Sequence, residues 1–297
     1  MGATRPHIGG NGGGPSGDGA AQTAQTAGRR RTPWPLAVVA VLFVVVPFLT
    51  WYWTWFGRSL SDEEIERQLR EGKPRQTQHA LSQVAERIEK GSADAGRWNA
   101  QVYRLSESPS PDVRMTAAWV MGLEHKSDEF HKALLRLLED PEPIVRRNAA
   151  LSLVGFGDAR ALPELRAMLR PYTVAAASEG TALTALTEGS QVRRESLLVR
   201  VNMGGDVAEV RSPLDGKVEK AFVKDGGSWR VEDELFVISP DPEHVSDALV
   251  GLAYFGAGED LPEVERYAGG VEGMPSDVKE KAARTAEAIR RRVSGGR

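Results

Sequence analysis

Two stretches of this chain carry one helical pattern 99 residues apart, and between them the apolar period changes from 3.6 to 2. The first, "DPEPIVRRNAALSLVGFGDARALPELRAMLR", begins at Asp140. It overlays the later "SPDPEHVSDALVGLAYFGAGEDLPEVERYA" at Pro143 and Pro242, Ala149 and Ala248, Phe156 and Phe255, Gly157 and Gly256, and Leu162 and Leu261. A weaker copy, "SPDVRMTAAWVMG", stands 32 residues earlier and sets Arg114 opposite Arg146. A unit of this kind cannot bury its apolar face alone, so neighbours must stack. Between Gln191 and Pro240 the runs "LLVRV", "DVAEV", "GKVEKAFV" and "LFVIS" alternate and are bounded by Gly, Pro or Asp turns. The expected fold is therefore mainly α, an α-solenoid of helical pairs interrupted by a small all-β sandwich or barrel of about five strands.

Ahead of the repeats, Trp34 to Phe56 carries no charge over 23 residues. As a helix it would extend about 34 Å, enough for a hydrocarbon core of roughly 30 Å, and it is expected to span a membrane. Trp51, Tyr52, Trp53 and Trp55 match an interfacial belt, and no small-residue cleavage site follows Leu49. Arg29, Arg30 and Arg31 at one end against Asp62, Glu63 and Glu64 at the other predict a cytoplasmic N-terminus. The bulk of the chain then lies on the periplasmic or extracytoplasmic side. The expected order is a flexible tail over 1–33, the span over 34–56, helical repeats over 60–172, a linker over 173–190, the β module over 191–240 and a last repeat over 241–292.

Charge and composition narrow the function. Arg5 and Arg29 to Arg31 against Asp18 leave Gly57 onward with 34 basic and 40 acidic groups, a balance that argues against nucleic acid. The chain has no Cys, which removes thiolate chemistry, disulfides and Cys-ligated zinc. His125 and His131, near Asp128 and Glu129, lie six apart, whereas two imidazoles share a helical face at i, i+4; the stretch reads as a turn between helices. No nucleophile elbow or paired-carboxylate motif stands out, and the glycines of "GGNGGGPSGDG" lack the strand, helix and Lys-Ser pair of a nucleotide loop.

On these residues the repeats resemble HEAT repeats of the short type grouped with the phycobilisome-lyase-like repeats. The resemblance covers about Lys73 to Tyr172 and Pro240 to Arg292, and implies a solenoid that binds proteins. The string Ser212-Pro213-Leu214-Asp215-Gly216-Lys217-Val218, with Val223, Asp225-Gly226, Val231 and Leu235, resembles the biotinyl/lipoyl fold found also in envelope adaptor proteins. In that family a modified Lys sits eight residues before the Pro matched by Pro213. Gly205 stands there instead, so the resemblance implies an unmodified module without a cofactor. The resulting expectation is a membrane-anchored, non-enzymatic scaffold or adaptor docking protein partners of an envelope complex. Its protein-binding residues are Arg147 on the repeats and Lys217, Lys220, Lys224 and Trp229 on the module. A bilin-lyase-like or carrier-type enzyme component, and a purely structural envelope protein, are the alternatives.

Overall fold

The computed structural model describes residues 59–295, apart from positions 93 and 204. Ten α-helices appear among the described residues: α1 (Asp62–Glu71), α2 (Pro74–Glu89), α3 (Asn99–Leu105), α4 (Pro111–Gly122), α5 (Asp128–Leu137), α6 (Pro143–Gly155), α7 (Leu162–Met168), α8 (Pro242–Phe255), α9 (Leu261–Gly269) and α10 (Ser276–Gly295). Prolines open α2, α4, α6 and α8, where the missing N–H costs nothing and the fixed φ suits a helix. Helix α1 starts with a capping box, the Ser61 hydroxyl accepting from Glu64 N–H and the Glu64 carboxylate accepting from Ser61 N–H. Helices α2, α4, α6, α8 and α10 form a row, each packed on the next, and α1, α3, α5, α7 and α9 flank it.

Between α7 and α8 the chain makes eight strands: β1 (Tyr172–Ala175), β2 (Gly180–Ala185), β3 (Gln191–Val192), β4 (Leu197–Asn202), β5 (Val207–Arg211), β6 (Gly216–Ala221), β7 (Ser228–Trp229) and β8 (Glu234–Ser239). They form two four-stranded antiparallel sheets, β1-β8-β6-β3 and β5-β4-β2-β7. Val174, Val199, Val201, Val218, Trp229 and Phe236 fill the core of this sandwich. The expected linker over 173–190 instead holds β1 and β2. Their Ala, Thr and Gly residues look like linker composition, yet Val174 and Ala182 supply inward-facing contacts. Strand β6 begins at a glycine for a steric reason. A Cβ at Gly216 would stand 2.2 Å from the Ser239 carbonyl oxygen of the neighbouring strand.

The module replaces a loop between repeats, and the row of helices continues past it. Its first and last strands are partners, Tyr172 opposite Ile238, so the chain enters and leaves at one place. Helix α8 then packs on both α7 and α6. At Gly251 of α8 a Cβ would come within 2.7 Å of the Leu165 side chain, a measure of how closely α7 and α8 approach.

The module is also held by a second set of contacts. Leu214, in the loop between β5 and β6, is buried in the helical core and not in the sandwich. Arg194 pairs with Asp112 of α4, and its N–H donates to Asp215 Oδ1 at 2.7 Å. These contacts dock the module on the repeats.

Among the described residues no helix is long and apolar enough to cross a membrane. Even α10, the longest, carries Lys279, Glu280, Arg284, Glu287 and Arg290 around a single apolar stripe of Val278, Ala282, Ala286 and Ile289. The expected span Trp34–Phe56 lies outside the described residues. For the described residues the fold class is corrected accordingly to helical repeats interrupted by a β sandwich, with no membrane-spanning helix among them, and they give the single-pass localisation no support.

Candidate functional site

Helices α4, α6 and α8 present equivalent positions to one side of the row. Ala117, Ala149 and Ala248 face inward, as do Met121, Leu153 and Leu252. At the outward position stand Trp119, 40% exposed, then Leu151, half-buried, then Val250, 42% exposed, with Tyr254 one turn further at 67%. The depth of the row is set by hydroxyls that reach across it. Ser152 Oγ donates to the Ala118 carbonyl at 2.8 Å, and Thr285 Oγ1 donates to the Leu249 carbonyl at 3.0 Å. Each such hydroxyl satisfies a second acceptor in a helical carbonyl while fixing neighbouring helices in register. The result is an apolar stripe over three helices in which Trp119, Val250 and Tyr254 are exposed and Leu151 packs partly on the core. Sequence reasoning missed it, although the signal was present. Trp119, Leu151 and Val250 fall at the same place in the copies spaced by 32 and 99, next to the alanine pair or its equivalent.

Polar ties between repeats run through arginines. Arg114 holds Asp140 through two bonds, Nε to Oδ2 at 2.7 Å and Nη2 to Oδ1 at 2.8 Å. Burial opposes the Asp140 charge, but these bonds and the Glu142 N–H hold its carboxyl below the usual carboxylate range. Arg146 reaches Glu164 at 3.3 Å and the Asp140 carbonyl at 2.7 Å, and Arg166 bridges the insertion to Asp260 at 2.6 Å. Asp112 meets Arg194, and Asp158 meets Arg160 and His131.

Arg147 is not the surface residue expected. Its side chain is 3% exposed, because α8 and the start of β1 close over a position that is open in an isolated repeat. Nη1 donates to His244 Nδ1 at 3.3 Å, Nε lies 3.9 Å from Glu164, and Nε–H has no hydrogen-bond partner. Burial drives the guanidinium below its ordinary range.

The residues expected on the module are scattered. Lys217 is exposed and lines a cleft of about 1340 Å³ between β3, β6 and the loop after α9, with Arg193, Glu219 and Glu272. Lys220 is exposed further along β6, while Lys224 and Trp229 meet at a shallower groove of about 570 Å³ at the tip, beside the exposed Phe222. Trp229 is mainly a core residue. It is 8% exposed, and its Nε1–H donates to the Ser178 carbonyl at 3.0 Å. The two neighbouring histidines flank Phe156, His131 stacked at 5.2 Å and His125 edge-on at 5.7 Å. His131 also bonds Asp158 at 2.7 Å. Among the described residues no group of three or more His, Asp or Glu is placed to hold a metal.

Residues 100–183 match the family model for HEAT repeats. The chain therefore carries HEAT repeats over this span. The matched repeats contain α4 and α6, which supply Trp119 and Leu151 of the stripe. A stretch of 106 residues is 34% identical to the carboxysome shell protein CcmK4 of Synechococcus elongatus, covering 36% of this chain and 85% of that protein. Among solved structures, a single-chain, multi-domain long-chain acyl-CoA carboxylase aligns with 16% identity and a TM-score of 0.23. That alignment covers 33% of this chain and 11% of the carboxylase, so the chain spans about a tenth of that protein's length, too slight a likeness to bear on the fold.

Proposed function

We propose that this HEAT-repeat protein is a non-enzymatic scaffold that docks a protein partner on the stripe of Trp119, Leu151, Val250 and Tyr254. The observation that carries the reading is the recurrence of a large apolar side chain at equivalent positions of three packed helices, exposed at Trp119 and Val250 and half-buried at Leu151. Isolated surface apolar residues are ordinary, but a contiguous row is an interface signature, and aromatic residues such as Trp and Tyr dominate binding energy when covered. HEAT repeats serve generally as protein-interaction modules, which supports a protein as the occupant. The sandwich acts in this reading as an unmodified, lipoyl-like module docked on the repeats through Leu214 and the Arg194–Asp112 pair. The tip between β4 and β5 has Gly205 where a carrier needs a lysine nucleophile.

Photo-crosslinking amino acids placed at 119 and at 250 are expected to capture the same partner, whereas one at Glu129, exposed on α5, captures none. Trp119→Ser with Tyr254→Ser should weaken that complex by at least about tenfold, as loss of central aromatic contacts does. Different proteins at the two row positions, or an unchanged complex in the double variant, would overturn the proposal.

A further inference from the structure

His244 occupies the first turn of α8, three residues beyond Asp241, the cap through which the β module rejoins the repeats. The Asp241 carboxylate accepts from Glu243 N–H at 2.9 Å and from His244 N–H at 3.4 Å. The imidazole is half-buried and turns Nδ1 toward Arg147. A guanidinium only donates, so in this geometry Nδ1 carries a lone pair and His244 is neutral. Arg147 depends on that lone pair. Its Nε–H is already unpartnered, and its nearest carboxylate lies 3.9 Å away.

The elements around the pair bring charge or a titratable group. Helix α6 contributes Arg147 and the loop after β5 contributes Asp215 beside His244, while Arg146 of α6, Glu164 of α7 and Tyr172 of β1 surround Arg147. Helix α8 itself adds Asp241, Glu243 and Asp247, and Lys281 of α10 faces Asp247. The three aspartates attract a proton to the ring, while burial and Arg147 oppose it, and the opposition prevails. A positive charge in the first turn of a helix is opposed by the helix dipole as well.

We propose that His244 is a proton-sensitive latch: uptake of a proton at Nδ1 turns its contact with Arg147 into a repulsion and unseats the β module from the repeats. Protonated Nδ1 can no longer accept from Arg147, and two donors then face each other at a distance fit for a hydrogen bond. Asp215 and Asp241 draw the imidazolium toward the module loop and solvent. Arg147 then loses its His244 acceptor at a place flanked by the two ends of the module, Tyr172 and Asp241. Parting those ends from the repeats lets water reach it, and an opening there withdraws Leu214 from the helical core and strains the pairing of Arg194 with Asp112.

The sign follows from which form the seated state prefers. The seated state holds His244 neutral and an open state titrates near 6.5, so the latch is fully closed above about pH 6.5. The open-to-seated ratio then grows as pH falls, by at most about tenfold per pH unit, until the lower seated-state pKa is reached.

The chain has no native cysteine, so Glu129→Cys on α5 and Arg230→Cys on the module allow spin labels to be placed on the full-length protein. Distance distributions between pH 7.5 and pH 5.0 are expected to gain a second, longer population at low pH. In the same labelled background His244→Gln should hold one short distance throughout. One unchanged distribution in the parent protein at both pH values overturns the latch without reference to any variant. An equal long population in His244→Gln overturns it too, by assigning the opening to another group.

Discussion

Arg147 and Arg146 are adjacent in the sequence and opposite in circumstance. Arg146 is turned to the loop carbonyls of Asp140 and Pro141, and Arg147 is enclosed by α6, α7 and α8. An enclosed charge with one unpartnered N–H pays a desolvation penalty that its contacts repay only in part. Arg147→Met, which keeps volume and removes the charge, should therefore change unfolding free energy by less than about 1.5 kcal/mol or raise it. Asp140→Ala should behave otherwise. It strands Arg114, whose side chain is 13% exposed, and is expected to cost about 3–5 kcal/mol in denaturant unfolding. The Asp140 carboxyl is held below its ordinary 3.8 in the folded state, so its contribution is fully present above about pH 4 and is lost as pH falls through the folded-state value. The parent should accordingly lose stability on acidification more steeply than Asp140→Asn.

At the scale of elements, the loop between β5 and β6 behaves as part of the helical domain. Leu214 is 1% exposed and belongs to the core built by α4, α6 and α8, although its neighbours in sequence are strands. Leu214→Ala is expected to cost about 2–5 kcal/mol, the usual range for an enclosed leucine. Hydrogen exchange would show where the loss falls. If Leu214 couples module and repeats, protection should drop in both α8 and β6. A drop confined to the loop would mean that the two parts are held together by other contacts.

On the scale of the whole molecule, the sandwich is an insertion that leaves the row of helices unbroken. Its two ends sit on paired strands, Tyr172 opposite Ile238, and α8 packs on α7 as though no insertion intervened. Paired antiparallel strands hold opposite Cα atoms about 5 Å apart, a gap that a short turn spans. Replacing residues 172–239 by a four-residue Gly-Ser turn should leave a folded, helical protein with a lower melting temperature, because Leu214 and the Arg194 tie are lost. Circular dichroism that shows loss of helix instead would establish that the repeats need the module in order to fold. The photo-crosslinking outcome at 119 and 250 belongs to this scale as well, since the stripe exists only when three separate helices are stacked.

The sequence by itself determined the kind of structure. Proline-opened apolar patterns at spacings of 32 and 99 could form only stacked helices, and alternation from Leu197 to Ser239 only strands, since each period turns its apolar residues to one face. Strands β1 and β2 stayed hidden because short runs of Ala, Thr and Gly carry little pattern. Burial was decided by tertiary structure alone. Arg147 is enclosed by a helix 97 residues away, Leu214 enters a core it does not adjoin in sequence, and Trp119 and Val250 join one surface across 131 positions. Periodicity assigns a residue to a face of its own element. What covers that face depends on which distant segment packs there, and that is a property of the assembled chain.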